Sequence, residues 1–141
     1  MKKVSVFIAC CLAALALLPA CQSAGGALAG TEWELRSYGP ENSPTAILQG
    51  TRVTLAFNQA ADRASGRAGC NSYGGECYIR GDRIDILYLF QTEMACQYPP
   101  GIMNQESTYL TLLQAARSFE IRNSEFIIYA SGGMLVFSPA D

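Results

Sequence analysis

The chain has 141 residues, 10 basic and 12 acidic side chains, a half share of apolar residues and no histidine. Without histidine, Ser-His-Asp and Cys-His nucleophilic machinery and the commonest zinc ligand are excluded. The only lysines are Lys2 and Lys3, and no basic run follows them, so the chain offers no clustered charge for nucleic acid or for electrostatic docking on anionic lipid.

Lys2 and Lys3 precede the apolar run VSVFIACCLAALALL, Val4 to Leu18, which ends at Pro19, Ala20 and Cys21. A basic start, an apolar run shorter than a comfortable bilayer span and small residues at its end make a signal peptide over residues 1–20. The ending LPAC resembles a bacterial lipobox, in which the cysteine takes lipid (palmitate among its acyl groups) and becomes the first mature residue. On that reading Cys21 is the lipid-attachment site, and its acyl chains hold the chain on the membrane without a spanning helix. An ordinary secretory cleavage near Ala20 or Ala24 is the alternative. Gln22 stands where aspartate resembles an inner-membrane retention signal, so the expected location is the outer membrane, facing the periplasm. The mature chain would carry eight basic residues against 12 acidic and has room for one domain.

Residues 21–30 hold the anchor and then QSAGGALAG, Gln22 to Gly30, small and glycine-rich, which reads as a flexible linker. From Thr31 the pattern takes period two. TEWELRSY sets Trp33 and Leu35 against Glu32, Glu34 and Arg36, and RVTLAF, residues 52–57, sets Val53, Leu55 and Phe57 against Arg52 and Thr54; both predict half-buried strands. ECYIR and RIDILYL flank Gly81-Asp82, a hairpin signal. A helix is predicted between Asn104 and Arg117, where Tyr109, Leu110, Leu112, Leu113 and Ala116 recur at helical spacing and Glu106 stands near the start, favourable to the helix dipole. Residues 119–122, 125–129 and 134–137 read as a closing meander around Asn123-Ser124 and Gly132-Gly133. The expected class is α+β: a single domain over residues 31–139, with a curved, mostly antiparallel sheet, a partial barrel, packed by one amphipathic helix.

Little of this carries chemistry. No phosphate loop or dinucleotide fingerprint occurs, and the carboxylates fall on polar strand phases or at turns, as Asp82 and Asp85 do beside the hairpin. The expectation is a non-enzyme with no cofactor and no metal. Cys21, Cys70, Cys77 and Cys96 remain after cleavage; with Cys21 acylated, three thiols allow three pairings in an oxidising compartment. A three-thiolate metal site is the weaker alternative, because the spacings of seven and nineteen match no common zinc module.

The order GTEWELRSY, SGRAGCNSYGG, TEMAC, a helix carrying Glu106 and YLTLLQAA, then FEI and a strand pair around GG resembles the META-domain family, also called HslJ-like, over nearly all of Thr31 to Phe137. Gly69-Cys70-Asn71 and Thr92-x-Met94-Ala95-Cys96 are its most specific pieces. The resemblance implies a small α+β domain, often on bacterial envelope lipoproteins, without established catalytic activity and linked to heat-shock or envelope-stress responses, antibiotic tolerance and, in distant relatives, motility or secretion. It also implies a Cys70–Cys96 disulfide, closing a loop of about 25 residues and contributing about 3 kcal/mol. Cys77 departs from the family pattern and is expected as a buried, inert thiol; its pairing with Cys70 stays open. On a Cys70–Cys96 bond, Tyr73, Asn71 and Tyr98 would form a recognition surface for an envelope protein or glycan. The expected function is non-catalytic support of envelope integrity or stress tolerance by a lipid-anchored monomer. A small-ligand or hydrolase-inhibitor module is the alternative, and a thiol redox or metal sensor through Cys77 a third reading.

Overall fold

The structure, a computed structural model, describes residues 24–141. The expected signal peptide and the expected lipid-attachment site at Cys21 lie outside the described residues. Helix α1 (Ala24–Leu28) leads into β1 (Glu32–Gly39), β2 (Thr45–Ala46), β3 (Thr54–Phe57), β4 (Arg63–Arg67), β5 (Ser72–Arg80), β6 (Arg83–Gln91), α2 (Ile102–Gln114), β7 (Ala116–Arg122), β8 (Glu125–Ala130) and β9 (Gly133–Pro139). All strand pairings between these elements are antiparallel, in the order β2-β1-β3-β4-β5-β6-β7-β8-β9, and β9 returns to pair with β1.

That return pairing corrects the expected partial barrel: the sheet is closed. Trp33 faces Pro139 and Leu35 faces Phe137, with a bulge before Ser37 faces Val136. Eight strands close the ring, and β2 lies outside it beside the end of β1. Eight is also the strand number at which inward side chains just fill the interior. The filling is aromatic: Phe126 lies 5.1 Å from Trp33, 5.6 Å from Phe119 and 5.6 Å from Phe137, ring centre to ring centre. Local alternation is visible in the sequence, but the pairing of residue 35 with residue 137 is a long-range choice that no short window reveals.

The antiparallel meander fixes two ends. The β3–β4, β5–β6 and β7–β8 turns and α1 share the end where β1 begins, while the 68–71 loop, the segment 92–101 and the β8–β9 turn share the other. Helix α2 joins β6 to β7 and lies across that second mouth, with Tyr109, Leu112 and Leu113 buried beneath it.

Several boundaries differ from the sequence reading. The domain begins before Thr31: Leu28 is fully buried in the core and Ala29 bridges to Phe57, so the described part of the expected linker is an ordered plug. The helix ends at Gln114, and Ala116 opens β7. The glycine-rich stretch after Asn71 is the start of β5. Arg63–Arg67 forms a strand whose RASGR sequence gives little β signal. Gly66 is obligatory there: a Cβ would stand 1.9 Å from the Thr54 carbonyl oxygen on the neighbouring strand.

Candidate functional site

Two features of the α2 end stand out, a buried polar knot and an open sheet edge. The knot begins at Gly69, whose φ of 117° needs glycine, and which turns the chain so that Ala68 donates to the Asn71 carbonyl at 2.7 Å. Cys70 is bonded to Cys96, with Cα atoms 5.9 Å apart. Glu106, on the inner side of α2, receives the loop: Oε2 accepts the Cys70 N–H at 3.0 Å and the Asn71 N–H at 2.7 Å, and Oε1 accepts Asn71 Nδ2 at 2.6 Å. Asn71 then ties in the segment after β6. Its Oδ1 accepts from Thr92 Oγ1 at 2.7 Å and Met94 N–H at 2.8 Å, and its Nδ2 donates to the Met94 carbonyl at 3.0 Å. Gln105, the preceding helix residue, accepts the Leu48 N–H at 2.6 Å and donates to Thr51 Oγ1 at 3.0 Å. Two consecutive buried side chains thus fasten two loops to one helix, and Asn71 relays the hold to a third.

Every polar atom named here is satisfied within the knot, which makes the arrangement structural rather than reactive. Asn71, expected on a recognition surface, is only 2 % exposed. Tyr73 is also misplaced by that expectation. It falls on the inward phase of β5, its hydroxyl donates to the Thr54 carbonyl at 2.8 Å, and it meets the Tyr109 hydroxyl at 2.5 Å inside the barrel. Burial pushes both phenols above their ordinary pKa, with the neighbouring hydroxyl adding to the rise at Tyr73. Tyr98 alone of the three is exposed, at 81 %. It borders an open groove of about 450 Å³ with Met94, Arg52, Arg67 and the disulfide.

Cys77 does not suit a sensor. The thiol is buried on the inner face of β5 and its pKa is pushed up to about 12 by desolvation first, then by Asp62 and Asp85. A thiol held protonated and out of solvent is a poor nucleophile and a poor metal ligand. Among the described residues, no three acidic, cysteine or histidine side chains cluster closely enough to hold a metal ion.

The open edge lies on β6. Its early part pairs with β7 only at Arg83 and Ser118; beyond that bridge the strand continues to Gln91 with β5 as its partner. The β7-facing side of residues 85–91 is left without a strand, and α2 stands there instead, separated by a groove of about 290 Å³ lined by Leu89, Phe90, Met103 and Leu110 among others. Leu87, Tyr88 and Phe90 are exposed, Tyr88 at 76 % and Phe90 at 67 %. A bulge opposite Gly75 rotates this part of the strand, with Tyr88 at a φ of 53°. The signal for this edge was present in the sequence: after Ile86 alternation stops and LYLF puts apolar side chains on both faces.

The same fold recurs in solved structures. An NMR structure of a protein from Burkholderia xenovorans shares 25% identity at a TM-score of 0.67, covering 83% of this chain and 86% of that one. A second NMR structure shares 17% at 0.64, covering 83% and 95%. The crystal structure of a DUF4847 family protein from Bacteroides vulgatus ATCC 8482 shares 11% at 0.57, covering 79% and 93%. No curated protein matches the chain. The META domain matches residues 26–141, a span that takes in the last three residues of α1, the closed barrel and the knot, and the chain belongs to the META domain family.

Proposed function

We propose that this is a non-catalytic envelope protein, anchored by lipid on Cys21, that works by binding an extended segment of a protein partner along the open edge of β6. The observation that carries the reading is the unpaired side of residues 85–91, bordered by exposed Leu87, Tyr88 and Phe90. An unpaired strand edge presents a row of backbone donors and acceptors that an incoming strand can use, and flanking apolar side chains supply specificity. The stretch from Ile86 to Gln91 carries no charge, the usual device that protects such an edge from pairing. A rigid barrel behind it keeps the edge preorganised, which lowers the ordering cost of binding. Support of envelope integrity, stress or antibiotic tolerance is the biological role that fits a tethered binder with no reactive group in its core.

The test is photo-crosslinking in intact cells from a benzoylphenylalanine placed at position 88, followed by hydrogen exchange on the isolated complex. A discrete adduct with slowed exchange at Leu87–Gln91 is expected. An adduct from position 98 but none from position 88 would move the binding surface to the groove beside the disulfide, where Arg52, Arg67 and Tyr98 favour a small anionic or glycan ligand instead.

A further inference from the structure

We infer that the α1 end of the barrel lies directly against the lipid headgroups, so that the domain has a fixed orientation rather than a free tether; this rests on the acylation of Cys21 proposed above. Ala24 already belongs to α1, and Leu28 is fully buried in the core, so the helix moves with the barrel. Only two residues separate Cys21 from Ala24. At full extension those three Cα steps reach about 11 Å. A lipid-modified Cys21 sits at the headgroup level, and α1 is therefore held within that distance of it. A nine-residue strand rises about 30 Å, and its tilt in a barrel still leaves the two mouths about 20 Å apart. The tether cannot reach around to present the α2 end to the membrane.

The surface at the α1 end is suited to that contact. Beside α1 an apolar recess of about 310 Å³ is walled by Ala27, Gly81, Phe119 and Ile121, with Asp82 and Glu120 at its border. Ile121 is 41 % exposed, an apolar side chain in solvent at the end of β7 nearest the anchor. Exposed charges of both signs ring the same end, Arg63, Arg83 and Arg122 beside Asp62, Asp82 and Glu125. Alternating signs match zwitterionic phosphoethanolamine headgroups, which offer one ammonium and one phosphate each, better than an anionic surface. The consequence is that the knot, the groove by Tyr98 and the upper edge of β6 face away from the membrane, toward whatever the periplasm presents.

The experiment reconstitutes the full lipidated protein into phosphatidylethanolamine vesicles containing acyl-brominated lipid. A fluorophore is attached at Ile121→Cys or at Tyr98→Cys, and buried Cys77 stays unlabelled under native conditions. Lipid quenching at least threefold stronger at 121 than at 98 is expected; Glu125→Cys, at the exposed start of β8, gives the same contrast should the first variant fold poorly. Vesicle flotation with acyl groups found on Cys21 by mass spectrometry, but equal quenching at both ends, would overturn the orientation alone. An unmodified Cys21 in protein that does not float would overturn the anchor and the orientation together.

Discussion

Glu106 and Asn71 are joined twice, through the Asn71 backbone N–H at 2.7 Å and its side-chain amide at 2.6 Å. Both contacts, and the one from the Cys70 N–H, need an acceptor. Glu106→Gln keeps the volume but aims an amide NH₂ at one of these donors, leaving a buried N–H without a partner. A loss of about 2 kcal/mol is expected, read as a lower urea midpoint with unchanged slope. An unchanged midpoint would mean that the knot is not what holds the 68–71 loop to α2.

The disulfide closes the same junction covalently. Replacing both cysteines, Cys70→Ser with Cys96→Ser, removes a cross-link across 26 positions and should cost about 3 kcal/mol by freeing the unfolded chain. Because Asn71 and Glu106 still bridge the loops, the double variant should fold and keep near-native chemical shifts around Thr92 and Met94. Loss of those shifts at full foldedness elsewhere would show that the bond, not the hydrogen bonds, positions the segment.

What was legible in the sequence followed period and punctuation. Trp33, Leu35, Val53, Leu55 and Phe57 were identified as an inward face and all are buried. The Gly81-Asp82 hairpin and the helix under Tyr109, Leu112 and Leu113 are also where the pattern put them. The misses share a cause: they depend on partners far away in the chain. Tyr73, expected on a recognition surface, lies inside a strand whose following glycines accommodate close neighbours: a Cβ at Gly74 would stand 2.7 Å from the Phe90 ring. Glu106 reads in the sequence only as an acid near the helix start that favours the dipole; its burial at 2 % exposed is not legible there, because the donors that justify it come from residues 70 and 71.

Gly66 and Gly81 offer a contrast between lack of space and backbone conformation. A Cβ at Gly66 would overlap the Thr54 carbonyl at 1.9 Å, the same oxygen that accepts the Tyr73 hydroxyl, so relief by strand separation also breaks the Tyr73–Thr54 hydrogen bond. Gly66→Ala should lose about 4 kcal/mol or more. Gly81 has a φ of +61° and no atom near its missing Cβ, so Gly81→Ala should cost only about 1 kcal/mol. Thermal midpoints of the two variants decide it, and equal shifts would refute the close β3–β4 approach.

Alkaline pH should unfold the domain through its core. Cys77, at about 12, and Tyr73 and Tyr109, both raised by burial, all hold their protons longer folded than unfolded. Above the unfolded thiol pKa, about 8.5, and the unfolded phenol pKa, about 10, the unfolded chain binds fewer protons than the folded one, and stability falls as pH rises. Below about pH 8 these groups are protonated in both states, and their contribution to the pH dependence is flat. Between about pH 9 and 12 each group that ionises only on unfolding contributes a slope of up to about 1.4 kcal/mol per pH unit. Cys77→Ala removes the earliest of these losses. Its urea midpoint, lower than the parent's at pH 7 because a buried side chain is truncated, should therefore decline less steeply from pH 8.5 to 10. Parallel curves for parent and variant would place the Cys77 thiol in solvent contact and reopen it as a reactive group.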